Sequence, residues 1–405
     1  MYSAAEGSCV SAPESPSRIS AKVEVSQSHT SAPLAGQQAA ANRRKPQVYP
    51  YPCADSRSER RPLALSASLT LIAAPASAQE NVRWGVPMAF GSNLTALGDT
   101  MPWVSETLKK ISGGTINLQV FEPGKLVPAL AIFDAVSAGK AEAGYNWMGY
   151  ELGKVPASAL FGAVPFGMET PQFAAWMYFG GGDALLKEVY KPHNVYPIFC
   201  GSISPEAAGW FRKEIKTPAD LNGLKFRAAG YGGKVYQKLG ASVTVLPGGE
   251  LFQALEKGVL DGTEFSLPTV DDQLGFYKVA EYYYMPGWHQ PSTNQYLYVN
   301  LAAWNKLKPQ TQAQIETTCT AAVTIALAKA EALQGAVLAK FEKEGVKARQ
   351  FDKVMLAAFA KATREVMAEE SANDAMVKKV YDSMTAFKEQ NSKWHDYGYL
   401  PRDFK

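Results

Sequence analysis

Phe133 and Phe252 each open the same local pattern. In FDAVSAGKAEAGYN and FQALEKGVLDGTEF an alanine follows two residues after the phenylalanine, a glycine six after and an acid nine after. The spacing before each glycine is helical, the glycine suits a left-handed helix cap, and a β-type run follows at once. Helix, cap and strand in that order, occurring twice, point to an α/β chain with helices on the faces of a sheet. The flanking segments agree. VRWGVPMAF, a helix around Leu94–Ile111, TINLQVF, a helix over Pro128–Ala138 and AEAGYNW read as βαβαβ. After the helical insert PQFAAWMYFGGGDALLKEVY the alternation resumes with NVYPIFCGS, GWFRKEI, the short helix of TPADLNGL, KFRAAG, the helix GGKVYQKLG, SVTVLP, the helix ELFQALEKG and VLDGTEFS. Two such sets predict two α/β lobes, a first over residues 79–203 and a second, with hinge strands, over 204–300. Twelve residues after each phenylalanine stand Tyr145 and Glu264. Ligands of open α/β sheets sit beyond the carboxyl ends of strands, so the repeat directs both residues to a common cleft.

From Leu301 the composition shifts to Ala, Lys, Glu and Gln, and residues 301–345 read as a long helix, interrupted near Pro309, that can brace both lobes. Residues 346–405 follow as C-terminal helices, Lys353–Glu370 and Asn373–Gln390, with the aromatic tail WHDYGYLPRDF. Their apolar face is a candidate homodimer contact.

Residues 60–78 combine the basic pair Arg60–Arg61, an apolar run too short to span a bilayer, and the small-residue triplet Ala76, Ser77, Ala78. That is an export signal cleaved after Ala78, and it places the mature chain in the periplasm. Residues 1–59, rich in Ser, Pro, Ala and Gln, are expected to be disordered or to reflect a translation start assigned too early. Of the 41 Lys/Arg and 38 Asp/Glu, eight and five fall in residues 1–78, which leaves 33 of each sign beyond them. A charge-balanced mature chain gives no overall basis for nucleic-acid binding. Its cysteines are Cys200 and Cys319; an oxidising compartment permits a disulfide, although spacing does not decide whether the two meet.

The sequence contains no GxSxG, HExxH, P-loop or CxxC, and no Rossmann glycine pattern after the first strand. His193, His289 and His395 lack helical pairing, which argues against a His-rich metal site. Each reads as an ordinary surface or loop residue, with His289 close to the expected site. Arg227 is the strongest candidate for binding chemistry. It ends the strand KFR before a turn containing Gly230, Gly232 and Gly233, and a planar guanidinium suits bidentate capture of a carboxylate.

The segments QVFEPGKLVPALAIFDAVSAG, GWFRKEI, LNGLKFRAAGYGGKVYQKLGASVTVLPGGELFQALEKGVLDGTEF and LGFYKVAEYYYMPGW resemble the extracytoplasmic solute-binding proteins of tripartite ATP-independent periplasmic (TRAP) transporters, DctP-like proteins. Within them the chain looks like the branch that binds 2-oxo acids together with a metal ion. The resemblance implies a two-lobe periplasmic binding-protein fold, a small organic acid as ligand and membrane permease subunits as partners. It makes Arg227 the arginine that pairs with the substrate carboxylate. It also implies a cation, Na⁺ or Ca²⁺, bridging substrate and protein through the Glu264 side chain and the carbonyl of Phe265, where the branch usually carries Trp. Two further positions in that site, usually Gln and then Glu, are Glu206 and Gln290 here. The exchange preserves the number of carboxylates, and Glu206, Glu264 and the substrate would form a hard oxygen cage. Phe90, Tyr145 and Trp288 are the implied apolar contacts, Trp147, Tyr150 and Phe265 are further aromatic candidates, and Asn146 is a candidate donor to a ligand oxygen. Two other functions remain open: a periplasmic ligand sensor for a signalling receptor, and a metal-assisted enzyme acting on an oxo acid with Glu206 as base. With no activated nucleophile in the sequence, the expected activity is binding without turnover.

Overall fold

Strand β1 (Val82–Pro87) buries Val82, Trp84 and Val86 and turns Arg83 outward, the alternation of a strand with one face in the core. The computed structural model describes residues 80–400. The expectations for residues 1–59 and 60–78 lie outside the described residues. β1 pairs in parallel with β2 (Ile116–Phe121), and the helix Thr100–Ile111 connects them. The helix starts six residues later than the sequence suggests. Asp99 accepts the Ala96 N–H at 2.8 Å and Ala96 has φ +62°, so the chain before Thr100 is a turn held by a carboxylate.

A Met88–Tyr145 bridge links β1 to β3 (Ala143–Trp147), which opens a three-stranded antiparallel array. Its order is β3, then β10 (Thr293–Asn300), then β4 (Val195–Ile203). The second sheet has six strands. In spatial order they are β11 (Lys347–Gln350), β9 (Tyr282–Met285), β5 (Gly209–Phe211), β8 (Gly262–Thr263), β6 (Lys225–Arg227) and β7 (Ser242–Thr244). The chain leaves the first group of strands along β4 and re-enters it along β10. Because β4 and β10 are antiparallel neighbours, residues just after β4 lie beside residues just before β10.

Pro309 marks a true break, between a short helix Leu301–Asn305 and a helix of 35 residues, Pro309–Lys343. Pro at a first helical position costs no hydrogen bond, so it starts the second helix rather than kinking one. The long helix packs on β4 and on Thr100–Ile111, and also on the helix Pro268–Leu274 and on β11, so it touches elements of both sheets. By length and composition alone it could cross a membrane. Here it lies along β4, burying Ile315, Ala322, Ala326 and Ala330, and a disulfide between Cys319 and Cys200 fixes it there.

One element of the C-terminal region departs from expectation. Before the helices Lys353–Asn373, Ala375–Gln390 and Ser392–Gly398, the chain adds β11 to the edge of the second sheet. KARQ is exposed at every position and carries no apolar alternation, so only its pairing with β9 makes it a strand.

Candidate functional site

Arg227 and Glu264 are brought together by register. β6 and β8 are parallel neighbours with Arg227 opposite Thr263, which puts Glu264 at the adjacent strand end. Both side chains are buried. Arg227 Nη1 donates to the Glu264 carboxylate at 2.8 Å and to the Glu264 carbonyl at 3.0 Å, while Nε donates to the Leu246 carbonyl at 3.0 Å. Three of the five N–H bonds of a guanidinium are thereby committed to protein oxygens. The arginine therefore presents Nη2, 3.5 Å from the Tyr150 hydroxyl, and not the full fork that the sequence suggested. The Phe265 ring lies 5.2 Å from the guanidinium carbon, in cation–π range. The Ala229 N–H also donates to Glu264, at 3.0 Å. Burial works against the charge of Glu264, but the Arg227 guanidinium overcomes it and holds the carboxyl below its ordinary value.

Glu206 follows β4, and His289 and Gln290 precede β10, so the antiparallel pair sets them side by side. Gly287 permits the approach, since a Cβ there would stand 2.1 Å from the Glu206 carbonyl oxygen. The Glu206 N–H donates to the Gln290 carbonyl at 3.2 Å. Thr293 Oγ1 lies 2.9 Å from Glu206 Oε1 and 2.8 Å from Gln290 Oε1, with one hydroxyl hydrogen to share between them. Gln290 Nε2 donates to Glu264 Oε2 at 3.4 Å. The other Glu206 oxygen, Oε2, has no hydrogen-bond partner among the described residues. Burial, and next the neighbouring Glu264 carboxylate, push Glu206 well above the ordinary carboxyl value. Two buried carboxylates thus face one guanidinium. A cation beside Glu206 Oε2 and Glu264 Oε2 would supply the missing positive charge, so the donor set fits a metal ion.

Sequence reasoning placed His289 near this site but read it as an ordinary loop residue. It is 1% exposed, with Nε2 at 3.4 Å from Glu264 Oε2 and 4.0 Å from Glu206 Oε2. Gly232 lets the helix Gly230–Lys238 pack against it, since a Cβ there would come within 2.9 Å of the His289 Cβ.

The cavity at this cluster is lined by Phe90, Leu97, Trp147, Tyr150 and Phe265 together with Glu206, Arg227, Glu264, Gln290 and Thr293. Its volume of about 20 Å³ accommodates a single water or bare ion. Phe90 and Phe265 also line a neighbouring apolar groove of about 680 Å³, walled by Pro123, Leu130 and Val245 among others.

Three expected ligand contacts lie elsewhere. Tyr145 is fully buried inside β3, bonded in the ladder between Met88 and Leu297. The helix–glycine–strand repeat is real, with Gly139 at φ +69° and Gly258 at φ +71°. However, β3 runs on to Trp147, so Trp147 and Tyr150, not Tyr145, meet the cavity that Glu264 faces. Asn146 donates to the buried Glu151 carboxylate at 2.6 Å. Trp288 stacks on Phe359 at 4.0 Å and packs against Tyr236, which makes it core. The resemblance was the ground for Trp288, which lies between β9 and β10 and packs into the core instead, whereas Asn146 lies within β3 and turns to Glu151.

The model of the bacterial extracellular solute-binding protein family 7, DctP, matches residues 91–374. A monocarboxylate 2-oxoacid-binding periplasmic protein of Nostoc sp. is 37% identical over 316 residues, covering 78% of this chain and 86% of the relative. A TRAP periplasmic solute-binding protein from Pseudoalteromonas atlantica, solved with bound sodium and pyruvate, is 34% identical with a TM-score of 0.77, over 80% of this chain and all of that one (100%). A TRAP transporter solute-binding protein from Bordetella bronchiseptica superposes with the same TM-score of 0.77 at 34% identity, over 78% of this chain and 94% of that one. Its structure is a mixed-occupancy dimer with co-purified calcium and picolinate in one active site. The fold is thus that of the two-lobe α/β solute-binding proteins. This chain belongs to the DctP family of bacterial extracellular solute-binding proteins.

Proposed function

We propose that this protein is the periplasmic substrate-binding subunit of a TRAP transporter and that it captures a small 2-oxo monocarboxylate together with a cation, Na⁺ or Ca²⁺. The observation that carries this reading is the convergence of Arg227 Nη2 and the Glu206–Glu264 carboxylates on one cavity. An incoming carboxylate pairs with Nη2, the part of the guanidinium still available to a ligand. A cation, when bound, supplies the positive charge that lets the ligand's oxygens share the site with two carboxylates. Thr293 and Gln290 orient Glu206 and Glu264, and the metal set would be Glu206, Glu264, the Phe265 carbonyl and Gln290. Phe90, Trp147, Tyr150 and Phe265 shape the apolar side of the ligand. The Nostoc relative and the sodium–pyruvate and calcium–picolinate structures support this ligand class.

In this reading residues 79–203 and 204–300 act as lobes that close on the ligand, with β4 and β10 as the crossing strands and residues 301–345 as the brace. The closed form is what the permease recognises, and no bond in the ligand is broken. The aromatic residues of the C-terminal helices, Trp394 and Tyr397 among them, are exposed and suit a homodimer contact. Calorimetric titration of the purified protein with 2-oxo acids, hydroxy acids and sugar acids tests the assignment. Tight, stoichiometric binding of short 2-oxo acids is expected; preference for a sugar acid, or turnover of the 2-oxo acid, overturns it.

A further inference from the structure

We propose that Thr95 and Gln273 form a latch across the mouth of the ligand cavity, and that this pair sets how long the closed protein holds its 2-oxo acid. The proposal rests on the reading of two closing lobes given above and adds the residues that hold them shut.

The pair joins the two lobes. Thr95 follows β1, and Gln273 stands on the helix Pro268–Leu274, which follows β8. The Thr95 N–H donates to Gln273 Oε1 at 3.0 Å, and Gln273 Nε2 donates to Thr95 Oγ1 at 2.9 Å. One carboxamide thus meets a backbone N–H and a hydroxyl in a reciprocal contact between residues 178 apart in sequence. Both bonds are exposed, so water takes over each partner when the lobes part. The contact can therefore break without stranding a buried polar group, as a closure that must reopen requires.

Each half is held from behind by the same helix, Pro309–Lys343. On the first lobe, one Asp99 carboxylate oxygen accepts the Ala96 N–H at 2.8 Å and the other pairs with Lys329, which fixes the turn that carries Thr95. On the second, the Thr269 N–H donates to Gln334 Oε1 at 3.0 Å and Gln334 Nε2 donates to Thr269 Oγ1 at 3.1 Å. Lys340 adds bonds to both Asp272 oxygens, at 2.6 Å and 2.9 Å. Groups presented from such fixed backbones lose little freedom when they meet.

The neighbours of the pair are the walls of the site. Leu97 lines the enclosed cavity, and Leu94 and Leu274 line the apolar groove beside it. Among the described residues the walls come from these neighbours and not from Thr95 or Gln273. Opening the latch parts Leu94 from Leu274 and uncovers the groove toward Phe90 and Phe265, the rings that groove and cavity share. The Tyr231 hydroxyl, which donates to the Pro156 carbonyl at 3.0 Å, is a second crossing contact. Loss of the latch therefore shifts the opening equilibrium and does not abolish closure. A contact made in the closed form and absent from the open one slows release and leaves encounter unchanged.

Stopped-flow tryptophan fluorescence, with pyruvate and saturating Ca²⁺ as the probe, reads the two rates. Gln273→Ala is expected to speed release about three- to tenfold while association stays within about twofold. Thr95→Val, which keeps the N–H and loses the hydroxyl, should show a smaller increase, and Thr95→Ser should match wild type. The double variant Thr95→Val, Gln273→Ala should release no faster than Gln273→Ala alone. Release from Gln273→Ala within about twofold of wild type, or single effects that simply add, overturns the proposal. Pyruvate binding with unaltered release removes the latch and leaves the binding-protein reading standing. The lobe separation is read independently by pulsed electron paramagnetic resonance between spin labels at Lys125→Cys and Lys257→Cys, one on each lobe. A longer mean distance in Gln273→Ala supports the latch, even if pyruvate fails to bind and the ligand reading falls. A distance distribution shared by wild type and Gln273→Ala, with and without pyruvate, overturns it.

Discussion

Replacing Arg227 by Met separates two roles of one side chain. Arg227 is 1% exposed, and its pair with Glu264 is closed to solvent on both sides. Removing one partner of a buried pair leaves the other charge without compensation and costs about 3–5 kcal/mol. Against a typical total stability of about 5–15 kcal/mol, that is about a fifth or more of the fold's margin. The three hydrogen bonds to Leu246 and Glu264 vanish with it, so the upper part of the range is expected. Adding Glu264→Gln removes the stranded charge, and the double variant should recover at least about 2 kcal/mol of the loss. Ligand affinity should not recover. Loss of the Arg227 guanidinium from the cavity should weaken 2-oxo acid binding by at least about 2 kcal/mol, a factor of roughly 30. Urea unfolding followed by tryptophan fluorescence measures the first pair of effects, and calorimetry the second. A single variant within about 1 kcal/mol of wild type, or a double variant as unstable as the sum of its parts, would refute the argument.

Tyr145→Phe should leave 2-oxo acid affinity within about twofold, far below the tenfold that 1.4 kcal/mol represents, because Tyr145 lies inside β3 away from the cavity; a large loss by calorimetry would return it to the site. Burial raises the Glu151 carboxyl to about 8, against the hydrogen bonds from Tyr298 and Asn146. Because the folded state holds this proton more tightly than the unfolded chain, the contribution is complete below about pH 4.5 and is lost as pH rises toward about 8. Glu151→Gln, which cannot ionise, should gain on wild type at up to about 1.4 kcal/mol per pH unit across that window in paired urea titrations, and a constant difference would contradict the assignment. Cys200→Ser with Cys319→Ser opens a link spanning 119 residues and should lower unfolding free energy by about 2–5 kcal/mol, with reductant producing the same loss in wild type only.

The α/β alternation was legible because helices such as Thr100–Ile111 and Gly248–Glu256 carry a 3.6-residue apolar period and several end at a glycine that must take positive φ, as at Gly139 and Gly258. Arg227 and Glu264 were legible for the same reason, since strand ends could be located and parallel neighbours align there. Where strand length decided the outcome, reading failed. Tyr145 and Glu264 occupy equal positions in the repeat, but β3 outlasts β8 and hands the cavity to Trp147 and Tyr150. β11 was invisible because an edge strand exposed on both faces needs no apolar residue. His289 was undervalued because a lone histidine has no pattern; its partners, Glu206 and Glu264, are remote in sequence and adjacent only through the crossing of β4 and β10. The usable signal was its place in PGWHQ, next to Gln290.

Carboxylate and cation share one site here, so their affinities must be coupled. Pyruvate affinity is to be measured on chelator-treated protein and again across a series of sodium and calcium concentrations. A cation that bridges ligand and protein must tighten pyruvate binding, and pyruvate must tighten cation binding by the same factor, here about tenfold or more. Pyruvate binding of equal strength in chelator and in saturating cation would contradict it.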